Sequence, residues 1–145
     1  MKNILLLFTL SFILTSCDQL NFGYLTNETS EPISISLYFN NYETNKPKNS
    51  QNIYIENLIK DTLINDIKLK KSMNNIAELN FKLDENKSIE LIFSTAPLRD
   101  YDVEFDALKI VTKNDKIELK GKSKILENFK AKSNKNKRYL IIEKR

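Results

Sequence analysis

Short runs in which every second residue is apolar, separated by turn-forming residues, constrain this chain more than any other feature. Ile33, Ile35, Leu37 and Phe39 alternate with Ser34, Ser36 and Tyr38, a period of two that belongs to a strand with one buried face. Phe22-Gly23-Tyr24-Leu25-Thr26 stands before it across the turn-rich Asn27-Glu28-Thr29-Ser30-Glu31-Pro32, which predicts a hairpin. Leu79, Phe81 and Leu83 alternate up to Asp84-Glu85-Asn86-Lys87, and Ile89, Leu91 and Phe93 alternate after it, predicting a second hairpin with a four-residue turn.

Tyr101, Val103 and Phe105 continue the pattern, Leu108 to Thr112 and Lys116 to Leu119 pair across Lys113-Asn114-Asp115, and Tyr139 to Ile142 forms a last strand. Ser123 to Lys130 departs from it: Ile125, Leu126 and Phe129 fall at i, i+1 and i+4 after Gly121, the spacing of a short amphipathic helix. Asn40 to Asn52 has no periodicity and carries Pro47, so it reads as a surface loop. Between 53 and 73, Ile59, Leu63 and Ile67 fit a helix while Leu63, Asn65, Ile67 and Leu69 fit a strand; strands are the expectation. The whole predicts an all-β fold, an antiparallel β-sandwich of about eight or nine short strands with one short C-terminal helix.

The first 17 residues carry a different signal. Lys2 supplies a positive start, Ile4 to Leu14 is apolar apart from Thr9 and Ser11, and small residues stand just before Cys17, the chain's single cysteine. An apolar run this short is the core of an export leader rather than a membrane span, which needs about 20 residues. Leu14-Thr15-Ser16-Cys17 resembles the cleavage box of bacterial lipoproteins, in which an invariant Cys is thioether-linked to diacylglycerol before the leader is cut away. The resemblance covers the leader and anchor, and it implies a lipidated Cys17 held to a membrane of the cell envelope. Buried acyl methylenes are worth about 0.8 kcal/mol each, so several acyl chains would make such an anchor effectively permanent.

The expected organisation is a leader over 1–16, the lipidated cysteine and tether over 17–21, and one domain over 22–145. Of 145 residues, removal of 16 leaves 129, enough for a single core without disulfide or metal staples. Beyond the leader, the short tether, the aromatic first strand with its Asn27-Glu28-Thr29 turn, and the ending of hairpin, Lys120-Gly121-Lys122, short helix and strand resemble small β-sandwich lipoproteins of Gram-negative envelopes. That likeness implies a fold and a compartment, and transfers no active site.

Charge is unevenly placed. Cys17 to Asp106 carries 9 Lys+Arg against 15 Asp+Glu, a net of −6, and Ala107 to Arg145 carries 13 against 4, a net of +9. The basic third could meet an anionic target, or the two halves could neutralise each other on the folded surface; the second is the expectation. No nucleic-acid partner is expected. The chain has no histidine, two glycines and a cysteine committed to lipid, so Ser-His-Asp and Cys-His catalysis, glycine-rich phosphate loops and ordinary zinc sites fall away. No enzyme activity, cofactor or metal is expected.

One constellation remains. Asp100, Asp102, Glu104 and Asp106 alternate with Tyr101, Val103, Phe105 and Ala107, so a strand would carry four carboxylates on one face, a candidate binding face. Ca²⁺ or neighbouring lysines such as Lys109 and Lys113 could relieve their repulsion, and cross-strand neutralisation is the expectation because calcium sites wrap the ion in loops. Asp61-Thr62-Leu63 resembles a short bacterial O-glycosylation acceptor, and Asp18 resembles the inner-membrane retention residue of enteric lipoproteins. The expected role is a lipid-anchored, non-catalytic binding or accessory module for another envelope component. An immunity or inhibitor protein using Asp100 to Asp106 against a basic toxin or hydrolase, and a carboxylate-dependent cell-wall hydrolase, are the alternatives.

Overall fold

A computed structural model of the protein describes residues 20–40, 50–60, 63–72, 75–132, 134 and 136–143. The leader, the Leu14 to Cys17 box, Asp18, most of the expected 40–52 loop, and Asp61 and Thr62 lie outside the described residues. Nine strands form two sheets. The strands are β1 (Asn21–Glu28), β2 (Ile33–Phe39), β3 (Ile64–Lys71), β4 (Ala77–Leu83), β5 (Ser88–Ser94), β6 (Ala107–Val111), β7 (Lys116–Lys120), β8 (Lys130–Ala131) and β9 (Lys137–Glu143). Helix α1 spans Ser50–Ile59, helix α2 spans Lys122–Asn128, and a 3₁₀ turn covers Asp100–Asp102.

The four-stranded sheet runs β5-β1-β9-β8 and the five-stranded sheet β3-β4-β2-β6-β7. Leu25, Ile89, Leu140 and Ile142 of the first meet Ile35, Leu37, Leu79, Phe81, Leu108 and Ile110 of the second in one core, the interleaving of two inner faces that makes a sandwich. Every inward position of β2 is buried, as its alternation demands.

The mostly β, sandwich-like reading holds, with four corrections. First, β1 and β9 pair in parallel, with Tyr24 beside Tyr139 and Leu25 beside Leu140, so the fold is not purely antiparallel.

Second, neither the first nor the second expected hairpin is one. β1 and β5 lie in the four-stranded sheet, β2 and β4 in the other, so residues 29–32 and 84–87 are corners that carry the chain between sheets. Asn27 joins the two corners: its buried Nδ2 donates to the carbonyls of Glu31, Leu83 and Asp84 at 2.9, 3.1 and 3.1 Å. Its Oδ1 accepts from the Thr29 N–H and hydroxyl. The third expected hairpin, β6 to β7 across Lys113-Asn114-Asp115, does pair within one sheet.

Third, the 53–73 segment opens with a helix. Tyr54, Ile55 and Leu58 fall at i, i+1 and i+4, and Ile55 and Leu58 are buried, so α1 shows one stripe to the core. Its Tyr54 ring lies 6.1 Å from Phe39 and 6.2 Å from Phe105. The later part of the segment is strand β3, as expected. Its inward residues Ile64, Ile67 and Leu69 are spaced by three and then two, which requires an irregularity, found between Asn65 and Lys68, with Asp66 at φ 53°.

Fourth, no strand forms over 100–106. The backbone makes the 3₁₀ turn and then an irregular run in which Val103 and Phe105 are buried while Tyr101 is 65% exposed. The expected helix over 123–130 appears as α2, with Ile125 and Leu126 buried and Phe129 buried just beyond it.

Candidate functional site

The acidic residues singled out in sequence are drawn apart by that irregular run, each toward a different element. Asp100 accepts a short hydrogen bond from the Ser123 hydroxyl of α2. Asp102 Oδ2 accepts the Arg99 N–H at 2.7 Å, Glu104 Oε2 accepts the Ser50 hydroxyl of α1 at 3.0 Å, and Asp106 Oδ2 accepts the Asn40 N–H at 2.7 Å. These carboxylates cap and tie the loops at one end of the sandwich, which is work they do best without a strand. Among the described residues no group of three or more His, Cys, Asp or Glu side chains is placed to hold a metal ion.

Lys113, expected to reach these carboxylates, instead meets Glu31 at 3.0 Å. That pair and Lys132 with Glu28 at 3.6 Å are two contacts through which the basic third meets the acidic portion. Both are exposed, so each contributes little to stability.

A feature missed from sequence lies on the outer face of the four-stranded sheet. Gly23 pairs with Ile92 and Tyr24 with Glu90, so Leu91 is an extra residue in β5, a bulge that turns the following side chains over. Leu91 and Ile92 are therefore both buried, and Phe93, expected inside, is 49% exposed. The glycine of the pair is needed: a Cβ at 23 would lie 3.0 Å from the Ile92 Cβ. The carbonyl of the bulged Leu91 is met by the Tyr54 hydroxyl at 3.0 Å. Burial pushes that hydroxyl well above the usual tyrosine range, with Glu104 and Glu90 adding to it.

Once turned outward, Phe93 joins a row of rings. Phe93 and Phe22 are 5.6 Å apart, Phe22 and Tyr24 5.9 Å, and Tyr24 and Tyr139 5.6 Å, distances at which aromatic pairs attract. Lys137 Nζ lies 5.9 Å from the centre of Tyr24 and Lys132 Nζ 5.7 Å from that of Tyr139, cation–π contacts worth about 0.5–1 kcal/mol each at such sites. Burial, then the Glu90 charge, raises the Tyr24 hydroxyl above its ordinary value, so that ring stays neutral through the physiological range. Leu25 points inward, so Tyr24 beside it had to point out; that much of the row was legible. The bulge that adds Phe93 was not.

Two grooves flank this architecture. One of about 560 Å³ separates α1 from β5 and is lined by Ile53, Tyr54, Asn57, Glu90 and Phe93 among others. The larger, about 680 Å³, lies at the end where β1 and β9 finish, between Thr29 to Ile33, Thr112 to Asp115 and Ile141 to Glu143. Because β1 and β9 run in parallel, it stands at the opposite end of the sandwich from Asn21, where β1 begins. Among the described residues no helix is long and apolar enough to cross a membrane. Searches of protein-family models, of curated proteins and of solved structures each found no match to this chain.

Proposed function

We propose that this protein is a lipid-anchored, non-catalytic binding module of the bacterial cell envelope, tethered through Cys17 and docking another envelope component. The leader and the Leu14-Thr15-Ser16-Cys17 box support the anchor, and the absence of histidine from the sequence supports a binding role over most catalytic ones. The observation that carries the reading is the groove of about 680 Å³ between the corner 29–32, the β6–β7 turn and the end of β9. A domain tethered just before β1 would hold this groove away from the membrane, open to a partner. Its walls are turn residues and polar side chains with Pro32, Ile117 and Ile141, a mixture suited to a protein segment, with Lys113 paired to Glu31 and Asp115 and Glu143 adding two further acidic groups.

The inhibitor alternative draws less support. A basic toxin would have to compete with Ser123, Ser50 and the N–H groups of Arg99 and Asn40 for the same four carboxylates.

The test is a pull-down from gently solubilised native envelope, with the lipidated chain as bait beside the Asn114→Arg variant, whose exposed turn lines the groove. A stoichiometric partner held by the first and lost from the second is the expected result. A partner held equally by both removes the groove from the account, and no partner on either bait removes the docking role.

A further inference from the structure

The chain between the anchor and the fold is very short. Two residues, Asp18 and Gln19, separate Cys17 from Leu20, the first described residue, and an extended chain covers at most about 3.3–3.6 Å per residue. The start of β1, Asn21, four residues on from Cys17, would therefore sit within about 14 Å of a lipidated cysteine, roughly twice the depth of the headgroup layer itself, about 5–8 Å on each side of the hydrocarbon. A domain held so closely stays within reach of that layer.

The surface beside the start of β1 is unusual for the outside of a sheet. It carries Phe22 and Phe93 in contact at 5.6 Å, then Tyr24 and Tyr139, with exposed Leu20 at the tether and Lys137 and Lys132 over the tyrosine rings. Rings with an apolar body and a polar tip are the side chains that settle at a membrane–water boundary, and lysines beside them meet lipid phosphates. Outward residues at the other end of the same strands are acidic, Glu28 on β1 and Glu143 on β9; Lys132, which also meets Glu28 at 3.6 Å, reaches toward that end, and the end where the tether joins the sheet is aromatic with Lys137 as its basic group. Glu90 on the face and Asp102 and Glu104 in the adjoining groove leave the lysine side as the one that meets anionic headgroups.

We propose that the ring row Phe93, Phe22, Tyr24 and Tyr139, with Lys132 and Lys137, is a membrane-resting face that lies on the lipid headgroup layer holding Cys17. This rests on the lipid anchor proposed above. It fixes the orientation of the domain, with β1 inclined to the bilayer, its tether end lowered into the headgroups and the large groove at the raised free end.

The chain contains no tryptophan, so one introduced indole reports its own surroundings. The full gene, leader included, is expressed in a bacterial host as Phe93→Trp or as Val111→Trp. Val111 is exposed on the outer side of the other sheet. The extracted proteins are reconstituted into vesicles of phosphatidylethanolamine and phosphatidylglycerol bearing brominated acyl chains, which quench indoles at the interface. Both variants should float with the vesicles. The indole at 93 should shift to the blue and lose most of its emission, and that at 111 should do neither. Changing Lys132 and Lys137 together to Gln should leave flotation intact and weaken seating of the face about fivefold for each lysine, since each is worth about 1 kcal/mol near an anionic surface.

Flotation without quenching at 93, or with equal quenching at 111, overturns the membrane-resting face and leaves the anchor standing. A chain that carries no lipid and does not float overturns the anchor and, with it, the face.

Discussion

Asn27 is the residue on which the joining of the two sheets most depends. It is fully buried, and its side chain binds both corners where the chain passes from one sheet to the other, through Glu31 on one side and Leu83 and Asp84 on the other. Its own N–H donates to the Lys87 carbonyl at 2.9 Å. In Asn27→Ala the Leu83 carbonyl, enclosed with its donor, loses its side-chain partner, and a buried acceptor left unmatched costs about 1–3 kcal/mol. The Glu31 and Asp84 carbonyls are only partly enclosed, so water can replace the amide there and each loss is about 0.5–1.5 kcal/mol.

The expected destabilisation is about 2–6 kcal/mol, a large share of the 5–15 kcal/mol typical of a domain. It corresponds to a fall in Tm of roughly 8–24 °C. Urea denaturation followed by circular dichroism measures it, with an unchanged slope showing that the effect is on stability alone.

Asn27→Asp separates this account from a simple packing loss. The carboxylate has the same shape, but its second oxygen would face three carbonyls 2.9–3.1 Å away instead of donating to them. Burial and those lone pairs raise its folded pKa above the usual 3.9 or so of an aspartate. The folded state then binds the proton more tightly than the unfolded state, so stability falls as pH rises through the window above that value. The variant should be least stable near neutral pH and recover part of its loss toward pH 4. A cost below about 1 kcal/mol for Asn27→Ala, or a pH-independent cost for Asn27→Asp, would refute the role assigned to this side chain.

Two further perturbations follow from the same geometry. Gly121 sits at φ +86°, ψ 137° before α2, with open space where a Cβ would go. Gly121→Ala should therefore cost about 1–3 kcal/mol through the backbone alone, while Gly23→Ala should cost a similar amount by crowding Ile92; urea midpoints check both. The Tyr54 hydroxyl is raised by burial, so its ionisation opposes the fold: stability is complete below about pH 10 and is lost as pH rises above it. Tyr54→Phe should remove that alkaline loss and, by leaving the Leu91 carbonyl without its 3.0 Å partner, lower neutral-pH stability by about 1–3 kcal/mol. Denaturation midpoints between pH 7 and 11 read both effects.

Alternation tells which side of a strand faces the core and is silent about which strand lies beside it. That is why β2 and β4 were legible as strands with buried Ile33, Ile35, Phe81 and Leu83, while the connections at 27–32 and 84–87 were misread as hairpins. A sheet-to-sheet corner and a hairpin both need a short turn and both keep the same side chains inward. Long-range pairing decided between them, and Asn27 is the residue that could have hinted at a corner, since an Asn there can bind neighbouring backbone as easily as it can bend its own.

The same blindness hid the ring row. In Ile89 to Ser94, strict alternation sends Phe93 inward, and only the extra residue opposite Gly23 sends it out. At 100–106 the alternation was real in burial, with Val103 and Phe105 inside, but the backbone had no strand to pair with, and its carboxylates went to caps.

The parallel pairing of β1 and β9 ties these features to the way the chain must assemble. β1 is an interior strand, held by β5 on one side and by β9 on the other, and β9 is the last of the described strands. Its second partner therefore becomes available after the other described strands when the chain emerges from its N-terminus. Until then β1 has an open edge bearing Phe22, Tyr24 and Leu25, the kind of exposed apolar strand that invites pairing with other chains. Closing contacts so distant in sequence is also slow. A tether that holds the start of β1 near a lipid surface would lower both risks, because the rings would rest in the headgroups while the rest of the chain arrives. If Cys17 carries the proposed lipid, the ring row and the short tether would together protect an interior strand that precedes its parallel partner by more than 100 residues.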